Sequence, residues 1–527
     1  MEKLEFLVLV LCAVTIQAST IPTRAKDKCF QSSHQCYDER IHPDSQGSTR
    51  VSKNLANELE TNFWLNNAKD FVDQQIKRKI NTNVAKNVIF FIGDGMSVPT
   101  ISAARVYMGG EEQKLSFEKF PHTGLSKTYC LDRKVPDSAS TATAYLTGVK
   151  ANYGTIGVNG QVTRKDCNAA MDVTKHTTSI AKWAQDAGKA TGIVTTTRIT
   201  HASPAGNYAN TADRDWENDA EVPAGCPKDI DIATQLIHGE VGSKFKVILG
   251  GGRAEFLNET VVDEEGNPGY RQDGKNLIQE WLDADSKRKY VFNSRGLSNI
   301  DAKTTDSLMG LFQDDHMLYH LEAEHKGLDT EKPTLEEMTR KAIEILQKSE
   351  NGFYLFVEGG KIDLAHHDVY AKIALDETAE LSKAVQAAVD MTNEDDTLIV
   401  VTSDHAHTMS YAGYPARTNN IFGEAQISKT DNLPYMTLSY ANGDGYEKYR
   451  DDETNSRVPL TDSEANDYKQ KFPSTVPKDS ETHGGEDVGV FARGPWAHMF
   501  SSTYEQNVIP HLMAYASCIG KGLKACD

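Results

Sequence analysis

The chain has 527 residues, and 56 Lys and Arg against 75 Asp and Glu leave a formal net charge of −19. That balance excludes nucleic-acid binding through bulk charge, which needs a basic surface. It still permits an anionic substrate wherever a few cations reverse the field within one cleft. Hydrophobic residues at 39% and charged residues at 25% describe a folded globular chain, not a disordered one.

Residues 1–18 read as a secretory signal, because the apolar run Phe6 to Ile16 gives way to small residues at Ala18 and Ser19. A polar arm without hydrophobic periodicity fills 19–52, and Leu55 to Ile80 reads as helical. The core is expected over 53–407. There the short, nearly continuous apolar runs Val88 to Ile92, Gly192 to Thr195, Val247 to Leu249, Phe353 to Val357 and Leu398 to Val401 suit buried parallel strands. Between them, Leu335, Met338, Ala342, Ile345 and Leu346 follow helical spacing. The alternation predicts an α/β fold with a doubly wound, largely parallel central sheet flanked by helices. Residues 408–480, rich in Asn, Asp, Tyr, Gly and Pro, read as an inserted excursion, and 481–527 returns to the core with the strand Val488 to Ala492. The C-terminus shows no apolar tail, so a secreted, extracellular chain without a membrane anchor is expected.

Cys12 leaves with the signal. Cys29 and Cys36 are close enough to bridge locally, as are Cys518 and Cys526; Cys167 and Cys226 flank one segment, and Cys130 is left odd. Connectivity stays open at this point, although an oxidising compartment fits. Asn258-Glu259-Thr260 is a glycosylation sequon.

Three of the apolar runs end in acids: Gly93-Asp94-Gly95, Glu358-Gly359-Gly360, and Thr402-Ser403-Asp404-His405. Ligands of open α/β sheets gather beyond the carboxyl ends of strands, and three carboxylates converging there need cations to offset their repulsion. Asp363 and His367 share a helix face, His405 follows Asp404, and His483 precedes the last strand. Imidazole with carboxylate and no thiolate favours zinc; an all-oxygen site beside it favours magnesium. In Val135-Pro136-Asp137-Ser138, Ser138 stands where an extended approach meets an Ala/Thr-rich helix. A hydroxyl at that N-terminus is a candidate nucleophile toward phosphate, the competing role being a plain N-cap.

These residues, with Thr141 to Tyr145, His201-Ala-Ser-Pro-Ala-Gly206, Ile362-Asp363 and Glu481-Thr482-His483, resemble the animal alkaline phosphatases from about residue 55 to 527. The resemblance implies hydrolysis of phosphate monoesters at alkaline pH through a phosphoserine on Ser138. It implies two zinc ions per chain, one held by Asp363, His367 and His483, the other by Asp94, Asp404, His405 and Ser138. One magnesium would take Asp94, Ser203 and Glu358, with His201 near its waters, and Arg214 would clamp phosphate oxygens. The alternative for Arg214 is an ion pair with Asp213 or Asp215. Also implied are the disulfides Cys167–Cys226 and Cys518–Cys526, and a homodimer with 408–480 as its crown. A peripheral calcium site maps onto Glu265, the Phe312 carbonyl and Asp329, weakened because Gln313 replaces an acid. Leu364 stands where a histidine is usual, and Ser97 where a glycine is usual. Two other readings compete: a phosphodiesterase or sulfatase with the same metals, which would carry a threonine or modified cysteine in place of Ser138, and a silent binding protein, which filled ligand positions argue against.

Overall fold

In the computed structural model, residues 57–527 are described, apart from 452, 455, 462, 463, 465 and 466. The signal, the arm and the Cys29/Cys36 pair lie outside the described residues. The helix expected over Leu55 to Ile80 is α1 (Thr61–Lys77).

Ten strands build the central sheet: β1 (Asn87–Gly93), β2 (His122–Lys127), β3 (Ala190–Arg198), β4 (Val247–Gly251), β5 (Arg288–Val291), β6 (Ser307–Leu311), β7 (Phe353–Gly359), β8 (Thr397–Thr402), β9 (Val488–Arg493) and β10 (Ser502–Glu505). Their spatial order is β10-β2-β9-β8-β1-β7-β3-β4-β6-β5. Only β9 runs against its neighbours, pairing antiparallel with both β8 and β2.

Period-two alternation feeds two cores. Ile89, Phe91, Leu355, Val357, Ile399 and Val401 face one layer, where they meet α2 (Val98–Tyr107), α4 (Leu335–Leu346) and α6 (Ala371–Met391). Val88, Phe90, Ile92, Tyr354, Phe356, Leu398 and Val400 face the other, against α3 (Ser138–Thr147). Covering both faces explains why the central strands are buried almost throughout and carry nearly continuous apolar runs. The α4 helix starts at a reciprocal capping box, Thr334 with Glu337. Ser97 has a comparable use: its hydroxyl accepts from Thr100 N at 3.2 Å and caps α2.

Register places the site. Ile92 lies opposite Glu358 on one side and Thr402 on the other, while Thr195 pairs with Glu358 across β3. Asp94 and Asp404 therefore each emerge two residues beyond that aligned row. From 408 to 480 the chain leaves the large sheet for a three-stranded sheet (Met409–Tyr411, Leu438–Gly443, Ser474–Pro477) and two small hairpins. Cys167–Cys226 and Cys518–Cys526 are bonded, and Cys130 is free and buried.

Leu355 is fully buried at the centre of β7. Leu355→Ala is expected to lower stability by about 2–5 kcal/mol through lost transfer energy and a residual cavity, measured by denaturant unfolding of the metal-loaded protein.

Candidate active site

Asp137, not Ser138, caps α3: its carboxylate accepts from Ser140 N at 3.2 Å and Gly154 N at 2.9 Å. Ser138 is thus the first helical residue, at the positive end of the helix dipole. Its Oγ lies 3.2 Å from His405 Nε2. That nitrogen is also 3.1 Å from Asp404 and 3.5 Å from Asp94. Asp404 is fixed by Gly95 N at 2.9 Å and His405 N at 2.8 Å.

A second cluster sits alongside. Asp363 Oδ1 is 2.6 Å from His407 Nε2, 3.3 Å from His483 Nε2 and 3.5 Å from His367 Nε2. The helix α5 (Lys361–His367) places Asp363 and His367 on one face. His367 and His483 each turn Nδ1 to a backbone carbonyl, of Glu481 (2.6 Å) and Pro136 (2.8 Å), leaving both Nε2 atoms aimed inward, 3.1 Å apart. Within each cluster, Asp94/Asp404/His405 and Asp363/His367/His407/His483, the ligand-type atoms lie within 4.8 Å of one another.

Sequence reasoning missed His407 and Glu481. His407 bridges Asp363 to Glu481 Oε2, each at 2.6 Å, and those two carboxylates hold its ring charged up to about pH 10, against the opposing effect of burial. With both ring nitrogens taken by carboxylates, His407 positions Asp363. Its signal was the His405-Ala-His407 spacing at the end of β8. Gly95, at φ 70°, is required beside it, because a Cβ there would come within 2.4 Å of the His407 ring. His366, by contrast, is a structural core residue, bonded to Thr100 (3.0 Å) and Tyr440 (2.9 Å).

Glu358 presses Oε2 against Thr195 and Thr197, while its Oε1, Ser203 Oγ and both Asp94 oxygens are buried without a hydrogen-bond partner. Burial first, then the neighbouring carboxylates, raises Asp94 well above the ordinary range; burial likewise raises Asp404, and Glu358 to about 7. These orphaned oxygens fit divalent cations: the donor set is rich in carboxylates, and the charge is otherwise uncompensated. Asp363 differs, since His367, His407 and His483 outweigh burial and hold it well below the carboxylate range.

Arg214 does not pair with Asp213 or Asp215, which are held by Arg164 instead. It donates to Asp137 at 3.1 Å and lies 3.0 Å from His201 Nε2, and burial keeps His201 well below its usual pKa, hence neutral. The guanidinium fork is thereby aimed from a fixed base. Leu364 is half-buried against Tyr319, Ala365, Ile373 and Ala374, an apolar seat beside the cluster. Asn258 is buried, its amide nitrogen donating to the Arg271 carbonyl at 2.9 Å, so a glycan there would have to displace that bond.

The mapped calcium ligands are only partly brought together. Glu265 and the Phe312 carbonyl converge on Lys332, whereas Asp329 is exposed and takes no part.

A family described as alkaline phosphatase matches residues 85–519. The membrane-bound alkaline phosphatase of Bombyx mori is 48% identical over 512 residues, 93% of this chain and 91% of its own. The human tissue-nonspecific isozyme is 44% identical over 490 residues, 89% of this chain and 91% of its own. The fold matches the solved alkaline phosphatase of Thermus thermophilus, TM-score 0.60 at 22% identity, covering 85% of this chain and 94% of that one. The Antarctic bacterium TAB5 enzyme gives 0.57 at 22% identity, over 84% and 100%.

Raised pKa values mean that the folded chain binds more protons than the unfolded one, so stability falls as pH climbs from the unfolded to the folded value. Above about pH 6.5 the histidines held neutral by burial add nothing further. Glu358, raised to about 7, and His407, raised to about 10, then act in one direction. The metal-stripped chain is expected to lose thermal stability between about pH 6.5 and 9, and the metal-loaded chain less, because bound cations hold ligands deprotonated. Calorimetry that finds a gap constant or narrowing with pH would contradict this.

Proposed function

The chain belongs to the alkaline phosphatase family and hydrolyses phosphate monoesters, and we propose that it does so through Ser138, with cations held by the acids at the ends of β1, β7 and β8. The reading rests on one observation: Asp94, Glu358 and Asp404 are buried carboxylates gathered together, with both Asp94 oxygens and one Glu358 oxygen unpartnered, beside a hydroxyl at a helix N-terminus.

Asp363, His367 and His483 would hold one zinc, Asp94, Asp404 and His405 a second next to Ser138, and Asp94, Ser203 and Glu358 a magnesium. When bound, these cations supply charge neutralisation and make a hydroxyl or a water easier to ionise. Arg214 grips two phosphate oxygens, its base held by Asp137, and fixes the ester for in-line attack. Ser138 Oγ gives up its proton to solvent and forms the new bond to phosphorus as the bond to the leaving alkoxide breaks, and the alkoxide takes a proton back from solvent to depart as an alcohol. Water then attacks the phosphoserine from the vacated side, returning Ser138 and releasing inorganic phosphate. Positioning and charge carry this chemistry, so leaving groups can vary. A phosphodiesterase or sulfatase reading lacks support, because Ser138 stands where those enzymes would carry another nucleophile.

Two wider readings follow. The disulfides favour an oxidising, extracellular compartment. A homodimer is favoured by α1, none of whose residues is buried although Trp64, Leu65, Ala68, Phe71, Val72 and Ile76 repeat at helical spacing. Such a stripe suits burial against a second copy.

Ser138→Ala should lower p-nitrophenyl phosphate turnover by roughly 10³-fold or more while zinc content, read by mass spectrometry, stays at wild-type level. Retained turnover would remove the serine from the mechanism. Trp64→Glu with Phe71→Glu should shift the mass in light scattering toward a single chain, and an unchanged mass would place the interface elsewhere.

A further inference from the structure

The calcium position implied by the family resemblance already contains a cation of another kind. Lys332 donates from Nζ to the Phe312 carbonyl at 2.7 Å and to Glu265 Oε1, and is only 9% exposed. The other Glu265 oxygen, Oε2, is taken by Arg253 Nη2 at 2.5 Å. Arg253 is fully buried and is itself fixed by Asp263 at 2.8 Å and the Leu311 carbonyl at 3.2 Å. Gln313 brings no charge, and its amide turns to Asp314 at 2.7 Å.

Calcium takes six to eight oxygen ligands and is held by an excess of carboxylates. Lys332 meets one carboxylate and one carbonyl here, both Glu265 oxygens already face fixed cations, and the neighbouring Asp263 and Glu264 are turned to Arg253. A divalent ion would have to expel the ammonium and then lie against the Arg253 guanidinium. The donor set does not fit calcium.

We propose that the Lys332 ammonium is the resident cation of this position, a covalently attached replacement that makes the surrounding fold independent of calcium. It joins three segments: the residue after β6 (Phe312), the loop carrying Glu265, and the turn that leads into α4. An ammonium has three donors and a single positive charge, enough to satisfy a carbonyl and balance one carboxylate. Being part of the chain, it needs no free ion from the medium, so its occupancy does not vary with concentration.

The test uses the metal-loaded enzyme with zinc and magnesium held constant. Calcium is titrated into the millimolar range while the thermal midpoint is followed, and retained calcium is counted by equilibrium dialysis. The wild-type midpoint should not move. Lys332→Met should lower it by several degrees whether or not calcium is present. A wild-type midpoint that climbs with calcium would overturn the proposal, as would a Lys332→Met midpoint equal to wild type. Calcium retained at one ion per wild-type chain and released by Glu265→Gln would also overturn it. Retention that Glu265→Gln leaves untouched places that ion elsewhere and keeps Lys332 as the resident cation.

Discussion

The repulsion among carboxylates gathered beyond the ends of β1, β7 and β8 is the constraint around which the rest of the molecule is arranged. Asp94, Glu358 and Asp404 are all fully buried, and burying an ionised carboxylate costs several kcal/mol even after relaxation. Three of them together are tolerated where they take up protons or where cations repay that cost. The in-register parallel pairing of β3, β7, β1 and β8 holds the acids at fixed separation, and the two apolar layers make that pairing rigid.

Few of the residues that touch the cluster are free to move. Asp137 caps α3 and anchors Arg214, so the helix terminus that presents Ser138 and the guanidinium proposed to grip phosphate share one support. Glu481 fixes His407, which fixes Asp363, and the Glu481 carbonyl also orients His367. Thr195 and Thr197 occupy one oxygen of Glu358 and leave the other open. The same few groups thus set geometry and protonation together, as such sites require.

Much of this was legible in the sequence. Continuous apolar runs ending in acids marked the central strands, since burial on both faces removes the usual alternation. The strands β2, β5, β6 and β10 went unread: β2, β5 and β10 are short and partly exposed, so their polar residues resemble loop, and β6, though buried, is five residues long with Ser307 and Gly310 interrupting its apolar run. The helix cap at Asp137 was hidden by its neighbour Ser138, an equally good capping residue. His407 could not be told from a ligand by spacing alone; its two carboxylate partners come from residues 363 and 481. Asp329 was the nearest acid of suitable chemistry, yet it is exposed, while Lys332 three residues on meets Glu265 across 67 positions. Sequence proximity carries no information about such meetings.

Buried carboxylates are therefore balanced in two ways. Away from the chemistry the counter-charges are side chains: Arg271 meets Asp231 at 3.0 Å with both fully buried, Arg253 meets Asp263, and Lys332 meets Glu265. A guanidinium or ammonium fills its hydrogen-bonding directions with protein groups and leaves no room for a substrate. Around Ser138 that solution would defeat the purpose, because a reacting phosphate must itself approach the positive charge. The exchangeable cations proposed for this cleft would meet that need, at the cost of a core less stable without them. The proposed division between covalent and exchangeable cations thus follows the line between scaffold and active site, with the unpartnered oxygens of Asp94, Glu358 and Ser203 gathered on the side of the chemistry.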